Sequence, residues 1–468
     1  MKVMIVGAGK LGYKLAELMI NEDIEVTLID KNTKTIEKIN DHLDVLTVNA
    51  NGLELETLKE LDIKAYDLLL AATGSDETNV IICSVAKKLG CKKTIARVRN
   101  PEYINQFDFI KAQMGIDHIV NPDLATANEI AHYLLKSYSF NNGEFAKGRV
   151  SMMDFHVNHM KGLIGKRLAD LNDFENLLVV AISRDGDIII PHGGTRLEEN
   201  DIIHIMGESK NINIFADRFG LNMDRNRIKR VMILGGGKIT HYLAEQLIQA
   251  NIRVTILEQD KDRCRYLSEK LNNALIINGD GTDINLLEDE DLSSMDAFVG
   301  ATGYDEQNLL MCLMAKQYGV KKVIAKISRP SYVHLIEKLD IDFALDPTNI
   351  IAGDILRFIR GGKVVSVSLL LGEQAEVTEI IMDENLSVVG KPIAKLGLPK
   401  GIIIGAIVRD REVIIPNGKT IIYPKDRLVI FCLESNAPHL KAFFKTTKGS
   451  VMDELRNYNK GIRKFIGF

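Results

Sequence analysis

Ten prolines in 468 residues and no low-complexity tract exclude a disordered or fibrous chain. The five cysteines (Cys83, Cys91, Cys264, Cys312 and Cys432) form no C-x-x-C pair, which argues against a disulfide framework and a zinc ribbon. An excess of one charge is also missing. A net charge of −4 gives no electrostatic reason to expect nucleic acid. No apolar run approaches the ~18 residues of a membrane span. Met1 leads directly into the strand-like KVMIVG, without the charged leader and apolar core of a signal peptide. A soluble, cytoplasmic chain is expected. What is there is ordinary globular composition, 46% hydrophobic and 26% charged. The chain is too long for one hydrophobic core at about 100–200 residues per domain, so roughly three or four domains are expected.

The chain is written twice. GAGKLG at Gly7–Gly12 returns as GGGKIT at Gly235–Thr240, and AATGSDETN at Ala71–Asn79 as GATGYDEQN at Gly300–Asn308. ARVRNPEY from Ala96 returns as AKISRPSY from Ala325. The 25 residues starting at Ala181 share 11 identities with those starting at Ala406. The offset stays between 225 and 229, so a unit of about 225 residues is duplicated in tandem. Cys83 and Cys312 fall in matching apolar stretches and read as small buried hydrophobes.

Each unit reads in two parts. In the first copy, strands are expected at Val3–Val6, Glu25–Ile29, Val45–Val48, Asp67–Ala72, Thr94–Val98 and His118–Val120. Helices are expected between them at Lys10–Asn21, Lys34–Asn40, Leu53–Leu61 and Asp76–Leu89. Short apolar strands alternating with helices indicate an α/β fold with a parallel, doubly wound sheet. After Asn121-Pro122 one more helix, Leu124–Leu135, leaves the lobe. From Arg149 to Ile214, and again from Val364 to Leu440, strand-like segments alternate with turns, and Arg184-Asp185-Gly186 marks a hairpin. This second part reads as a small α+β lobe. The domains are therefore placed at 1–137, 138–221, 228–361 and 362–445, with a linker at Leu221–Arg227. The stretch from Lys441, of which 446–468 forms a tail, carries seven basic and two acidic residues. It reads as a solvated end, or as a contact for anionic lipid or an acidic partner.

Gly7-Ala8-Gly9-Lys10-Leu11-Gly12 is a complete G-x-G-x-x-G between a strand and a helix. Its glycines allow a tight turn, close approach of a pyrophosphate, and helix–strand packing. The helix N-terminus adds free N–H groups and partial positive charge. Asp30, 18 residues beyond Gly12, ends the second strand, where a carboxylate can accept from both ribose hydroxyls and repels a 2′-phosphate. Gly235-Gly236-Gly237-Lys238-Ile239 repeats the loop, but Thr240 replaces the third glycine and Glu258 stands for Asp30. Thr73-Gly74 and Thr302-Gly303 end the fourth strands, at the carboxyl edge where ligands of open α/β sheets lie. Asp76 and Asp305 are expected to cap the following helices. Arg97 and Lys326 end the fifth strands, where a cation complements phosphate or forms a surface ion pair. Asn51 and Asp280, on the third-strand loops, face an adenine or shape a turn.

A dehydrogenase needs a general acid or base near the nicotinamide, and the second lobe offers none in sequence. His156-x-x-His159 in a strand places its rings on opposite faces, which argues against a metal pair. The counterpart of His192 is Asn417.

These residues, from GAGKLG through Asp30, ATGSDETN and IARVRNPEY to the second GGGK and the closing DRLVIF, resemble the TrkA family. That family comprises cytoplasmic nucleotide-binding subunits of Trk-type bacterial potassium uptake systems, built from two tandem RCK units (regulators of potassium conductance). The resemblance covers about 440 residues, duplication included. It implies Rossmann-like N-lobes, each followed by a C-lobe, in a homotetramer whose units ring the cytoplasmic face of a potassium-translocating membrane subunit. It implies binding of NAD/NADH or ATP/ADP, not turnover. Gly7, Ala8, Gly9, Lys10, Leu11, Asp30, Thr73, Gly74 and Arg97 would carry the first site. Gly235, Gly236, Gly237, Lys238, Ile239, Glu258, Thr302, Gly303 and Lys326 would carry the second. Asn51 departs from the family, where an aspartate is common. An NAD-dependent oxidoreductase, and a C-lobe sensor of another small ligand, stand as alternatives.

Overall fold

The computed structural model describes residues 1–21, 24–135, 144–171, 174, 176–185, 187–219, 228–329, 332, 339, 341–360, 364–370 and 374–440. The expected linker, the basic tail and the hairpin's Gly186 lie outside them. The described residues fall into two units, one within Met1–Ser139 and Asp224–Ile355, the other within Phe140–Met223 and Leu356–Phe468. Each unit therefore draws on both copies: N-lobe with N-lobe, C-lobe with C-lobe.

In the first N-lobe, β1 (Lys2–Val6), β2 (Glu25–Asp30), β3 (Leu46–Asn49), β4 (Leu68–Ala71), β5 (Lys93–Arg97) and β6 (His118–Val120) form one parallel sheet. Its order is 3-2-1-4-5-6, with the switch point between β1 and β4. Val3–Val6 and Leu68–Ala71 are buried along their whole length, as strands covered on both faces must be. The helix Lys10–Asn21 buries Leu11, Leu15, Ala16, Leu18 and Met19, the apolar stripe read from its spacing. Asn32 caps the next helix, Thr33–Asn40, by accepting the Lys34 N–H at 3.0 Å. The helix Phe107–Met114, absent from the sequence reading, lies between β5 and β6. Its Phe109 is 68% exposed and none of its residues is buried; Phe107 and Ile110 pack only partly against the core.

β12 (Arg230–Leu234), β13 (Arg253–Glu258), β14 (Ala274–Asn278), β15 (Ala297–Gly300), β16 (Lys322–Lys326) and β17 (Phe343–Leu345) repeat this sheet in the same order. The helix Pro122–Leu135 begins on the proline, whose missing N–H costs nothing at a helix start. Ala127, Ile130, Ala131 and Leu134 on its apolar face share a core with Ile239, Tyr242, Leu243 and Leu247 of the second N-lobe. That face is spent within the chain. Polar contacts reinforce it: Asn121 Nδ2 donates to Tyr242 Oη at 2.9 Å, and Tyr242 Oη donates to the Arg99 carbonyl at 3.1 Å. Burial pushes the Tyr242 phenol up to about 12, so it stays a donor.

The first C-lobe holds β7 (Glu144–Phe145), β8 (Val150–His156), β9 (Leu177–Arg184), β10 (Asp187–Ile189) and β11 (Ile202–Glu208) in the order 10-9-11-8-7. The helix Ser209–Arg218 covers one face through Ile212, Phe215 and Ala216. β9 and β10 form the expected hairpin, with Asp185 at φ +53°. The second C-lobe runs β18 (Val364–Leu370), β19 (Ala375–Ile381), β20 (Ile402–Arg409), β21 (Glu412–Ile414) and β22 (Arg427–Leu433), ordered 18-19-22-20-21. The two sheets share one core, with Met152, Ala181 and Met206 against Val377, Ala406, Val429 and Phe431. A Cβ on Gly405 would lie 2.2 Å from Met206 Sδ, so a larger residue there would displace the Met206 side chain.

Candidate functional site

Parallel strands deliver their following loops to one edge. The loop Gly7–Gly12 after β1, Asp30 at the end of β2, Asn51 beyond β3, Thr73-Gly74 beyond β4 and Arg97 at the end of β5 therefore meet at the carboxyl edge. Gly7, at φ +104°, makes the turn that tips the chain into the helix. A Cβ on Gly12 would stand 2.0 Å from the Gly7 carbonyl oxygen, so the third glycine is a packing requirement. Gly9 and Gly74 differ: a Cβ on either meets no atom within 4 Å. The open side of the loop is there.

Asp30 already accepts two backbone N–H groups, Ala8 on Oδ2 and Asn32 on Oδ1, both at 2.8 Å. A carboxylate has about four acceptor positions, so about two remain for hydroxyl groups. Thr73 receives a partner the sequence reading missed. Its N–H and its hydroxyl both donate to Asn79 Oδ1, at 2.8 and 2.7 Å, and Asn79 Nδ2 donates to the Arg97 carbonyl at 2.9 Å. Asn79 is fully buried and ties the ends of β4 and β5 together. Asn308 repeats the arrangement with Thr302 and Lys326. Its signal was in the duplication, since both ATG stretches carry the asparagine six residues after the threonine.

Arg97 Nε is buried and has no hydrogen-bond partner among the described residues. Burial, with Arg99 nearby, pushes this guanidinium below its ordinary value. Arg97 forms no ion pair among the described residues; Arg99 forms one with the buried Asp123, through Nε to Oδ2 at 2.6 Å. Burial lowers Lys326 as well, and the charge of Lys10 from the other lobe adds to the effect. Lys326 Nζ donates to the Thr302 carbonyl at 2.6 Å. A cation of one lobe therefore stands within electrostatic reach of the other lobe's glycine loop.

Several expectations need correction. Asp76 and Asp305 are not caps: Ser75 accepts the Thr78 N–H at 3.2 Å, and Tyr304 heads the second helix. Asp76 instead holds the Arg99 and Asn100 N–H groups at 2.9 and 2.8 Å, because its side chain turns toward β5. Asn51 and Asp280 each brace their own turn. Asn51 Oδ1 accepts the Leu53 N–H at 3.2 Å, and Asp280 Oδ1 accepts the Thr282 N–H at 2.9 Å. His156 and His159 do not diverge; their rings lie 5.9 Å apart because the strand ends at His156 and a 3-10 turn follows. Among the described residues no three His, Cys, Asp or Glu are grouped to hold a metal ion.

A polar chain in the first C-lobe was also invisible in sequence. Ser183 Oγ lies 2.8 Å from His204 Nε2, and His204 Nδ1 bonds Asp154. Strand register pairs His204 directly with Asp154. Ser183 is 6% and His204 1% exposed, so two of the three groups are buried in the sheet, while Asp154 is half-buried at its end. The second copy has Val408, Val429 and Glu379 there.

The second glycine loop differs in detail. Glu258 Oε2 accepts the Gly236 N–H at 2.6 Å, as Asp30 does for Ala8. Thr240 donates its hydroxyl to the Gly235 carbonyl at 2.5 Å, so the helix accommodates the larger residue. Cβ atoms on Gly237 and Gly303 again meet nothing within 4 Å.

Residues 3–122 and 231–347 match the TrkA-N domain model, and 152–220 and 377–445 match the TrkA-C domain model. The chain belongs to the TrkA family of Trk-system potassium uptake proteins. A Trk system potassium uptake protein TrkA homolog from Methanosarcina mazei is 38% identical over 453 residues, covering 95% of this chain and 100% of the relative. The solved GsuK RCK domain superposes with a TM-score of 0.57 at 17% identity, over 94% of each chain. The GsuK channel bound to NAD gives 0.57 at 16% identity, over 96% of this chain and 79% of that one. The family thus accounts for the doubled α/β architecture and makes the chain a regulatory subunit of potassium transport. No helix among the described residues is long and apolar enough to cross a membrane.

Proposed function

We propose that both glycine loops hold adenine nucleotides, NAD/NADH or ATP/ADP, and that occupancy controls a Trk-type membrane potassium subunit. The observation that carries this is the buried, unpartnered Arg97 Nε at the same sheet edge as the open face of Gly9 and Gly74. A buried donor without an acceptor costs about 1–3 kcal/mol, which an anionic ligand recovers. Gly7, Ala8, Gly9, Lys10 and Leu11 supply loop N–H groups, Asp30 the ribose acceptor, and Thr73, Gly74 and Arg97 the far wall. Gly235, Gly236, Gly237, Lys238, Ile239, Glu258, Thr302, Gly303 and Lys326 do the same in the second lobe. Asn51 and Asp280 set the loop that borders the base.

The nucleotide supplies anionic charge; the chain turns it into a change of packing. Lys10 adds to burial in disfavouring the charged form of Lys326. Negative charge at the first loop offsets Lys10, so the nucleotide favours one arrangement of the lobes over another. Control then follows from differential affinity alone, with no chemical step. The working molecule is a homotetramer in the cytoplasm, peripheral to the membrane through its partner, with the four lobe boundaries read from the repeat.

Titration calorimetry with ADP tests the sites. Asp30→Ala should weaken the tightest binding event by about 1–3 kcal/mol, through loss of charge-assisted hydrogen bonds. Glu258→Ala should affect that event less, since Thr240 alters the second loop. Equal losses would show that the loops are equivalent. Light scattering at micromolar concentration should return a tetramer mass; a monodisperse monomer would rule the assembly out.

A further inference from the structure

The two glycine loops differ most at a residue outside the motif. Asn32 and Asp260 both cap the helix after the second strand, each accepting the N–H groups two and three positions on. The third position is Thr35 in the first lobe and Arg263 in the second. Thr35 is too short to reach its loop. Arg263 reaches across: Nε donates to the Gly236 carbonyl and Nη2 to the Gly237 carbonyl, the latter at 3.1 Å. The guanidinium stands 4.6 Å from the centre of the Tyr266 ring, a cation–π contact that holds it there. Nη1 has no partner among the described residues. Beside it His241, 8% exposed, has a buried Nδ1 with no partner, and burial with the charge of Arg263 lowers this imidazole.

We propose that Arg263 determines which ligands the second loop accepts: its Nε–Nη2 edge fixes the loop by its carbonyls, and its remaining edge and charge favour nucleotides with a di- or triphosphate. The argument rests on the reading of the second loop as a nucleotide site. Guanidinium bonds to two successive carbonyls fix the orientation of the peptides whose N–H groups meet phosphate. A fixed positive charge next to those N–H groups favours the more anionic ligand. Thr35 gives the first loop no cation at this helix position, so the two loops of one chain select by different criteria. At the first loop the nearby cation is Arg97 at the end of the fifth strand; at the second, Arg263 is added to Lys326.

The test uses the full chain carrying Gly9→Val, which leaves only the second loop to bind, titrated with ADP and with AMP. Adding Arg263→Ala should weaken ADP about tenfold, weaken AMP less, and reduce the dependence of ADP affinity on potassium chloride concentration. Arg263→Lys should restore part of the salt dependence while losing the two-carbonyl grip. Equal weakening of ADP and AMP, or unchanged ADP affinity, overturns the assignment. If Glu258→Ala still abolishes binding in that case, the second loop remains a nucleotide site without Arg263 selecting for it. Absence of any ADP binding in the Gly9→Val chain overturns both.

Discussion

Gly9→Val is expected to abolish nucleotide binding at the first loop and the nucleotide dependence of potassium flux, while the protein folds and assembles normally. The Cβ of a residue at 9 meets no atom within 4 Å, and the position lies on the exposed side of the turn. Its branched side chain then occupies the approach to the loop N–H groups that phosphate needs. Gly12→Val should behave in the opposite way. Its Cβ would sit 2.0 Å from the Gly7 carbonyl oxygen, so the helix must part from the strand and the lobe loses its packing. Circular dichroism, light scattering and potassium flux in membranes containing the partner separate the two variants. A Gly9→Val protein that cannot fold would make the nucleotide a permanent structural part. Unchanged nucleotide-dependent flux would remove the first loop from regulation.

Glu379→Ala should loosen the paired C-lobes by about 3 kcal/mol, the scale of breaking a buried ion pair. Glu379 is 3% exposed and bonds Arg427 on the neighbouring strand. Its other oxygen accepts the Ala146 N–H of the first C-lobe at 3.0 Å, so one carboxylate serves both copies. Alanine leaves the guanidinium and the amide without that acceptor, in a core of Val377, Val429 and Phe431. Glu379→Gln, which keeps an acceptor but not the charge, should lose less. Hydrogen exchange of amides in Ala375–Ile381 and Arg427–Leu433 reads the change locally. Protection unchanged by Glu379→Ala would mean the pair contributes nothing to lobe pairing.

The N-lobe sheets were legible because each strand is a short, continuous apolar run bounded by turns, the pattern of strands buried on both faces. The glycine loop and Asp30 were legible because the motif's spacing is local. What escaped depends on contacts between distant segments. Asp154, Ser183 and His204 meet only through strand register, which periodicity does not encode. The helix Pro122–Leu135 was foreseen, but its destination was not, since an apolar stripe shows that something covers it and not what. Arg263 lies on a polar helix outside the glycine motif, and only the fold brings it to Gly236.

The helix that passes from the first N-lobe into the core of the second has a thermodynamic consequence. Two separate single-copy chains would have to find one another to make this contact, and the contact would dissolve on dilution. Joined in one polypeptide, the halves meet at an effective concentration on the order of millimolar or more, whatever the amount of protein in the cell. Gene duplication has thereby made the pairing of the two loops independent of expression level. A fall in copy number cannot separate one loop from the other.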